Sequence, residues 1–132
     1  MMLDKYSSEY ITEFLNFLSS VESSYKFSLD EMQTQEKLTQ DYLHSLELDN
    51  LDYKERSKIA TKLATNRKDR RYYKDKVEEY QPIIEFLNNP QNKKVINELK
   101  NVLGQVRKQE EYHKNRFYVP KVLKNKKSED NI

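Results

Sequence analysis

The chain has 132 residues, enough for one domain. Apolar residues make up 36% and charged residues 35%, against about 45–50% and about 25% in average globular domains. One Gly, three Pro and no Cys or Trp exclude glycine-dependent barrels, sandwiches and dinucleotide folds, and with them disulfides and thiolate metal sites.

The first element is a long helix over residues 8–48. Ile11, Leu18, Tyr25, Met32, Thr39 and Leu46 recur every seven residues, with Phe14, Val21, Leu29 and Tyr42 between them, a heptad-like seam along one face. Asp52 followed by Glu55 marks the start of a second helix, carried by Ile59, Leu63, Tyr73, Val77, Tyr80, Ile84 and Leu87. Pro82 falls inside this pattern and predicts a kink or split near residues 80–81. Asn88-Asn89-Pro90 is a stop. A third helix then carries Val95, Ile96, Leu99, Val102, Leu103, Val106, His113 and Phe117, and ends near Tyr118 before Pro120. Gly104 in its middle suggests a close helix contact.

The expected fold is all-α: an antiparallel bundle of three long helices with coiled-coil-like seams. One domain spans 1–123, with a disordered charged tail over 124–132. Short linkers make consecutive helices antiparallel neighbours. Levelling the helices on that basis brings Gln35, Asn66, Arg70, Glu110 and His113 into one polar layer, with a buried Arg70–Glu110 pair fixing register.

Catalytic patterns are absent from the sequence: there is no phosphate loop, nucleophile elbow, Cys–His pair or HExxH. Asp41–His44 and Glu110–His113 have the acid-x-x-His spacing of di-metal helical bundles. The same levelling separates the two histidines by about 12 Å along the axis, too far to share a metal. The expectation is a non-enzyme with no cofactor, no metal and no small-molecule substrate.

Charge is strongly segregated. Residues 1–52 hold 11 acids and 3 bases; residues 53–76 hold 10 bases and 3 acids; residues 107–127 hold 8 bases and 2 acids. Antiparallel packing of helices two and three would join the basic stretches into one cationic surface of Lys58, Lys62, Arg67, Lys68, Arg71, Lys74, Arg107, Lys114, Arg116 and Lys121. Tyr72, Tyr73, Tyr112 and Tyr118 interleave with these, as phosphate contacts and base stacking require. The competing reading is a solvated face balanced by acidic helix one. Within the Arg67–Lys74 stretch, Arg70 falls on the seam and points inward, while Arg71 and Lys74 point outward.

The runs Asp41-Tyr42-Leu43-His44-Ser45-Leu46-Glu47-Leu48, Glu55-Arg56-Ser57-Lys58-Ile59-Ala60-Thr61-Lys62-Leu63, Asn66 to Asp75 and Lys114-Asn115-Arg116-Phe117-Tyr118-Val119-Pro120 resemble small helical proteins of unassigned function from phages and prophages of low-GC Gram-positive bacteria. The resemblance spans residues 40–123. It implies a small accessory protein, acting in replication, host takeover or evasion of bacterial defence, and it carries no binding residues with it.

Two functions follow as expectations. The first is protein binding through long helical faces, as inhibitor or adaptor, with acidic helix one suited to a basic partner surface. The alternative is nucleic-acid binding through the basic surface. A homodimer is expected from the thin core, through Tyr10, Leu15 and Phe17 lying off the main seam. No leader or membrane-length apolar run is legible, so the expected location is cytoplasmic, host cytoplasm included.

Overall fold

The computed structural model describes residues 2–122. Three helices follow one another: α1 (Ser7–Leu48), α2 (Tyr53–Asn88) and α3 (Pro90–Lys114). They pack against each other, and no strand occurs among the described residues. The all-α class and the count of three helices agree with the sequence. The tail expected over 124–132, and the first and last residues of the 1–123 domain, lie outside the described residues.

Local chemistry sets the helix ends. The Asp52 carboxylate accepts from the Glu55 N–H at 2.8 Å, capping an orphan donor of α2. Asn89 is at once the C-cap of α2 and the N-cap of α3, its side chain accepting from the Gln91 N–H at 2.9 Å, with Pro90 at the first position of α3. Pro82 lies within an unbroken α2, so the expected split does not occur. The carbonyl that loses its helical partner belongs to Glu78, and both residues are exposed, which leaves that carbonyl open to water. At the other end, α3 stops at Lys114, four residues before the expected Tyr118; Asn115 caps it by donating to the Glu111 carbonyl at 3.1 Å. Phe117, expected on the seam, is exposed beyond the helix.

The arrangement of α3 differs from the expectation. Tyr25 donates to Gln81 at 2.7 Å and Thr39 to Asn66 at 2.6 Å, so α2 runs antiparallel to α1. Ser8 bonds to Glu110 and Thr12 to Arg107, so α3 also runs antiparallel to α1, along its N-terminal stretch. α1 is therefore the common partner of both. The expected antiparallel pairing of α2 with α3 is corrected, and the reason is the linker. Residues 49–52 give α1 and α2 four non-helical residues in which to reverse. Between α2 and α3 only Asn89 is non-helical, with φ −69° and ψ 124°, and one extended residue cannot reverse a helix where two to five are needed. α3 departs onto α1 instead.

The core is thin. Among the described residues the buried apolar ones are Leu18, Val21, Leu87 and Leu103, from all three helices. Phe14, which the heptad pattern places in the core, is 46% exposed, and Leu15, expected off the seam, is half-buried. Gly104 does not mark a close contact, since a Cβ there would meet nothing within 4 Å.

Candidate functional site

The polar layer exists, with a changed membership. Asn66 on α2 is buried and lies against α1. Its amide donates to the Gln35 carbonyl and to Gln35 Oε1, both at 2.8 Å, and its Oδ1 accepts from buried Thr39. Thr39 Oγ1 also reaches the Gln35 carbonyl at 2.9 Å. No buried side-chain polar atom among the described residues is left without a partner. Arg70 stands at its rim and donates through Nε to Glu36, which Arg67 also approaches at 3.9 Å. The side chains of Arg70 and Glu36 are 24% and 45% exposed, so this is a rim pair rather than a buried one.

Glu110 and His113 are not in this layer. Glu110 sits at the N-terminus of α1, where Ser8 donates to it through its N–H at 3.0 Å and through its hydroxyl. Tyr6, the N-cap of α1, offers no side-chain cap, so a carboxylate from another helix satisfies an orphan donor there. The Ser8 hydroxyl bond, chiefly, holds the Glu110 carboxyl below the ordinary carboxylate range, with Lys114 and Arg107 adding to it. His113 is exposed, edge-on to Tyr112, and borders an open trough of about 1070 Å³ walled by Met2, Leu3, Tyr6, Val106 and Gln109. His44 is exposed near the far end of α1. Among the described residues no three His, Asp or Glu groups are placed to hold a metal ion.

The expected cationic surface is divided. Arg67 lies at the level of Glu36, and Arg107 donates to Thr12 at 3.1 Å; about 24 residues of α1, or about 36 Å, separate those levels. Lys58, Lys62, Arg67, Lys68, Arg71 and Lys74 belong to the α2 end. Arg107, Lys114, Arg116 and Lys121 belong to the opposite end, the last two beyond α3. Lys114 lies 5.5 Å over the Tyr6 ring and Arg116 5.6 Å over Tyr112. Antiparallel packing of α2 on α3 would have joined these sets, and that packing is absent. Within α2, Lys58 and Lys62 share one flank while Arg67, Arg71 and Lys74 share the other. Arg71 is exposed and Lys74 half-buried. Elsewhere, hydrogen bonds to Glu13 and Glu79 raise the pKa of Lys5 and Lys76 respectively.

An aromatic cluster spans α1 and α2. Phe27 meets Tyr73 edge-on at 6.0 Å, and Tyr73 meets Tyr72 edge-on at 5.3 Å. Lys76 extends over Tyr72 at 5.8 Å and Tyr80 at 6.0 Å. Phe27 and Tyr72 are each 57% exposed. In the sequence Tyr72 and Tyr73 interleave with the basic residues and Tyr73 also falls on the seam of the second helix; Phe27 lies off the heptad seam and so carries no periodic signal that would pair it with them.

No helix among the described residues is long and apolar enough to cross a membrane. No protein-family model, curated protein or solved structure matches the chain.

Proposed function

We propose that the protein acts by binding other proteins through its helical faces, as a small accessory inhibitor or adaptor of the kind the phage resemblance implies, and not by catalysis. The observation that carries this reading is the open aromatic cluster of Phe27, Tyr72 and Tyr73. Exposed aromatics held by neighbours on rigid helices are the usual anchors of protein interfaces, because they bury large area at small entropic cost. The exposed acids Glu22, Asp30, Asp41 and Glu47 on α1 suit a partner with a basic surface. The test is capture from host lysate with the full chain and with Phe27→Ser/Tyr72→Ser. Loss of one specific captured protein, with helicity kept, supports the reading; an unchanged capture profile contradicts it.

Nucleic-acid binding is the second reading, and it rests on α2 alone. Arg67, Arg71 and Lys74 recur at i, i+4 and i+7 on one flank, a spacing that tracks a phosphate backbone. A gel shift that fades steeply with salt and is lost in Arg71→Ala/Lys74→Ala would favour it over the first.

A further inference from the structure

α2 covers α1 with one side, which leaves the opposite side of its first five turns facing solvent. Ile59 and Leu63, half-buried, and Asn66, buried, turn toward α1. Ser57, Ala60, Thr61 and Ala64 fall at i, i+3, i+4 and i+7 on the side away from it, and all four are exposed. Thr61 ties its hydroxyl to the Ser57 carbonyl at 3.0 Å, which leaves its methyl to this strip.

Cations stand on both sides of the strip. Lys54 and Lys58 lie along one edge, Arg56 and Arg67 along the other, and Lys68 and Arg71 continue the line past Ala64. Lys54, Lys58 and Lys62 surround Ser57 and Thr61 in one shallow hollow of about 420 Å³. All seven cations are exposed. Among the described residues only Arg67 meets a carboxylate, Glu36 at 3.9 Å. The acids nearby are turned aside or engaged. A turn of 100° per residue puts Glu55 and Asp69 on the α1 side, and Asp75 closes the strip beyond Arg71. Asp52 is the cap of α2, Asp49 accepts from Ser45, and Glu36 and Glu47 of α1 border the arginine edge.

We propose that this side of α2 lies in the major groove of double-stranded DNA. The inference deepens the nucleic-acid reading of α2 given above and rests on it. Charge complementarity points to a polyanion, and the strip selects which one. Ser, Ala and Lys are the side chains that protein interfaces lack. No aromatic stands between Tyr53 and Tyr72, so a single strand finds no row of rings on which to stack. A helix is about 10–12 Å across with its side chains, and the major groove of DNA is about 12 Å wide and about 8.5 Å deep. Small residues on the entering side let the backbone approach the base edges, while cations on both edges reach the phosphates of both strands. The major groove of an RNA duplex is too narrow for this. Phe27, Tyr72 and Tyr73 lie past the C-terminal end of the strip, so the protein-binding reading is untouched by the outcome.

The experiment is fluorescence anisotropy of the full chain with a labelled DNA duplex of about 20 base pairs, its single strand and the matching RNA duplex, from about 50 to about 200 mM salt. The DNA duplex should bind at least about tenfold more tightly than the other two. The logarithm of its affinity should fall with the logarithm of salt with a slope of about −4 to −6. Ala60→Gln/Ala64→Gln keeps every charge and fills the strip; it should lower duplex affinity about tenfold with helical circular dichroism unchanged. Lys54→Gln/Lys58→Gln and Arg56→Gln/Arg67→Gln should each flatten the salt slope by about 2. Lys93→Gln/Lys94→Gln on α3 should change neither quantity. Duplex and single strand bound alike, with Ala60→Gln/Ala64→Gln unaffected, leave α2 a phosphate-binding helix and overturn the groove. Failure of every probe to bind at about 50 mM salt overturns the inference and the reading beneath it together. A host protein captured by the wild type and lost from Ala60→Gln/Ala64→Gln, with no DNA bound, assigns the strip to that protein and overturns both equally.

Discussion

Asn66 is the position at which the fold is most open to a quantitative test. Replacing it by Ala removes three hydrogen bonds, one from Thr39 and two to Gln35. Each is worth about 0.5–1.5 kcal/mol net, so the expected loss is about 3 kcal/mol. For a chain of this size that corresponds to roughly 10 °C in melting temperature. Thr39→Val keeps the volume but leaves the buried Asn66 Oδ1 without its donor, and about 1–3 kcal/mol should be lost. Replacing both at once, as Thr39→Val/Asn66→Leu, removes donor and acceptor together. Much of the stability should return, because no buried polar atom is then left unpaired. Chemical denaturation of the four proteins measures all three values. If Asn66→Ala unfolds within about 0.5 kcal/mol of the parent, the clasp does not hold α1 to α2 and the reasoning fails.

The Glu110 cap predicts a pH effect. Its carboxyl titrates below the ordinary value in the folded chain, so its contribution is fully present above the ordinary carboxylate range and is lost as pH falls through the lowered folded value. Melting of wild type and Glu110→Gln should differ at pH 7 and converge in acid; a constant gap at all pH values would contradict the cap. Gly104→Ala fills open space on a regular helix and should stabilise by about 0.5–1 kcal/mol, read from denaturant midpoints. Arg70→Ala should cost about 1 kcal/mol, below the loss expected of a fully buried pair, because the Glu36 side chain left behind is 45% exposed and can be solvated. Arg71→Ala/Lys74→Ala should leave stability within about 0.5 kcal/mol of the parent.

The helix boundaries were legible because their causes are local. Asp52 with Glu55, and Asn89 with Pro90, satisfy backbone donors within a few residues. The joining of Gln35 and Asn66 was legible too, since the four residues between α1 and α2 permit the reversal that the levelling assumes; Thr39 was read as a seam residue, and its hydroxyl joins the pair because it faces α2 at the same level. The same levelling failed for Arg70 with Glu110. It treated Asn89 as a hairpin, though Asn88-Asn89-Pro90 leaves no residues for a loop once Pro90 opens α3. That error propagated to the basic surface, which exists only if α3 returns along α2. Phe14 was misplaced for another reason: heptad periodicity marks which side of α1 is apolar, but not how far along it a partner helix extends. Phe27 was missed because it lies off the seam and gains its place only by contact with Tyr73.

The central claim is that α2 and α3 each pair with α1, so that the two basic regions stand at opposite ends. The most direct test is a distance between spin labels on Lys62→Cys and Lys114→Cys, in a chain with no other cysteine and diluted with unlabelled protein. Lys62 lies beside Tyr42 and Leu38, and Lys114 over Tyr6. At 1.5 Å per residue of α1 the labels should be about 50 Å apart. A distance near 15 Å would mean that α3 folds back along α2, uniting the basic regions and contradicting the account.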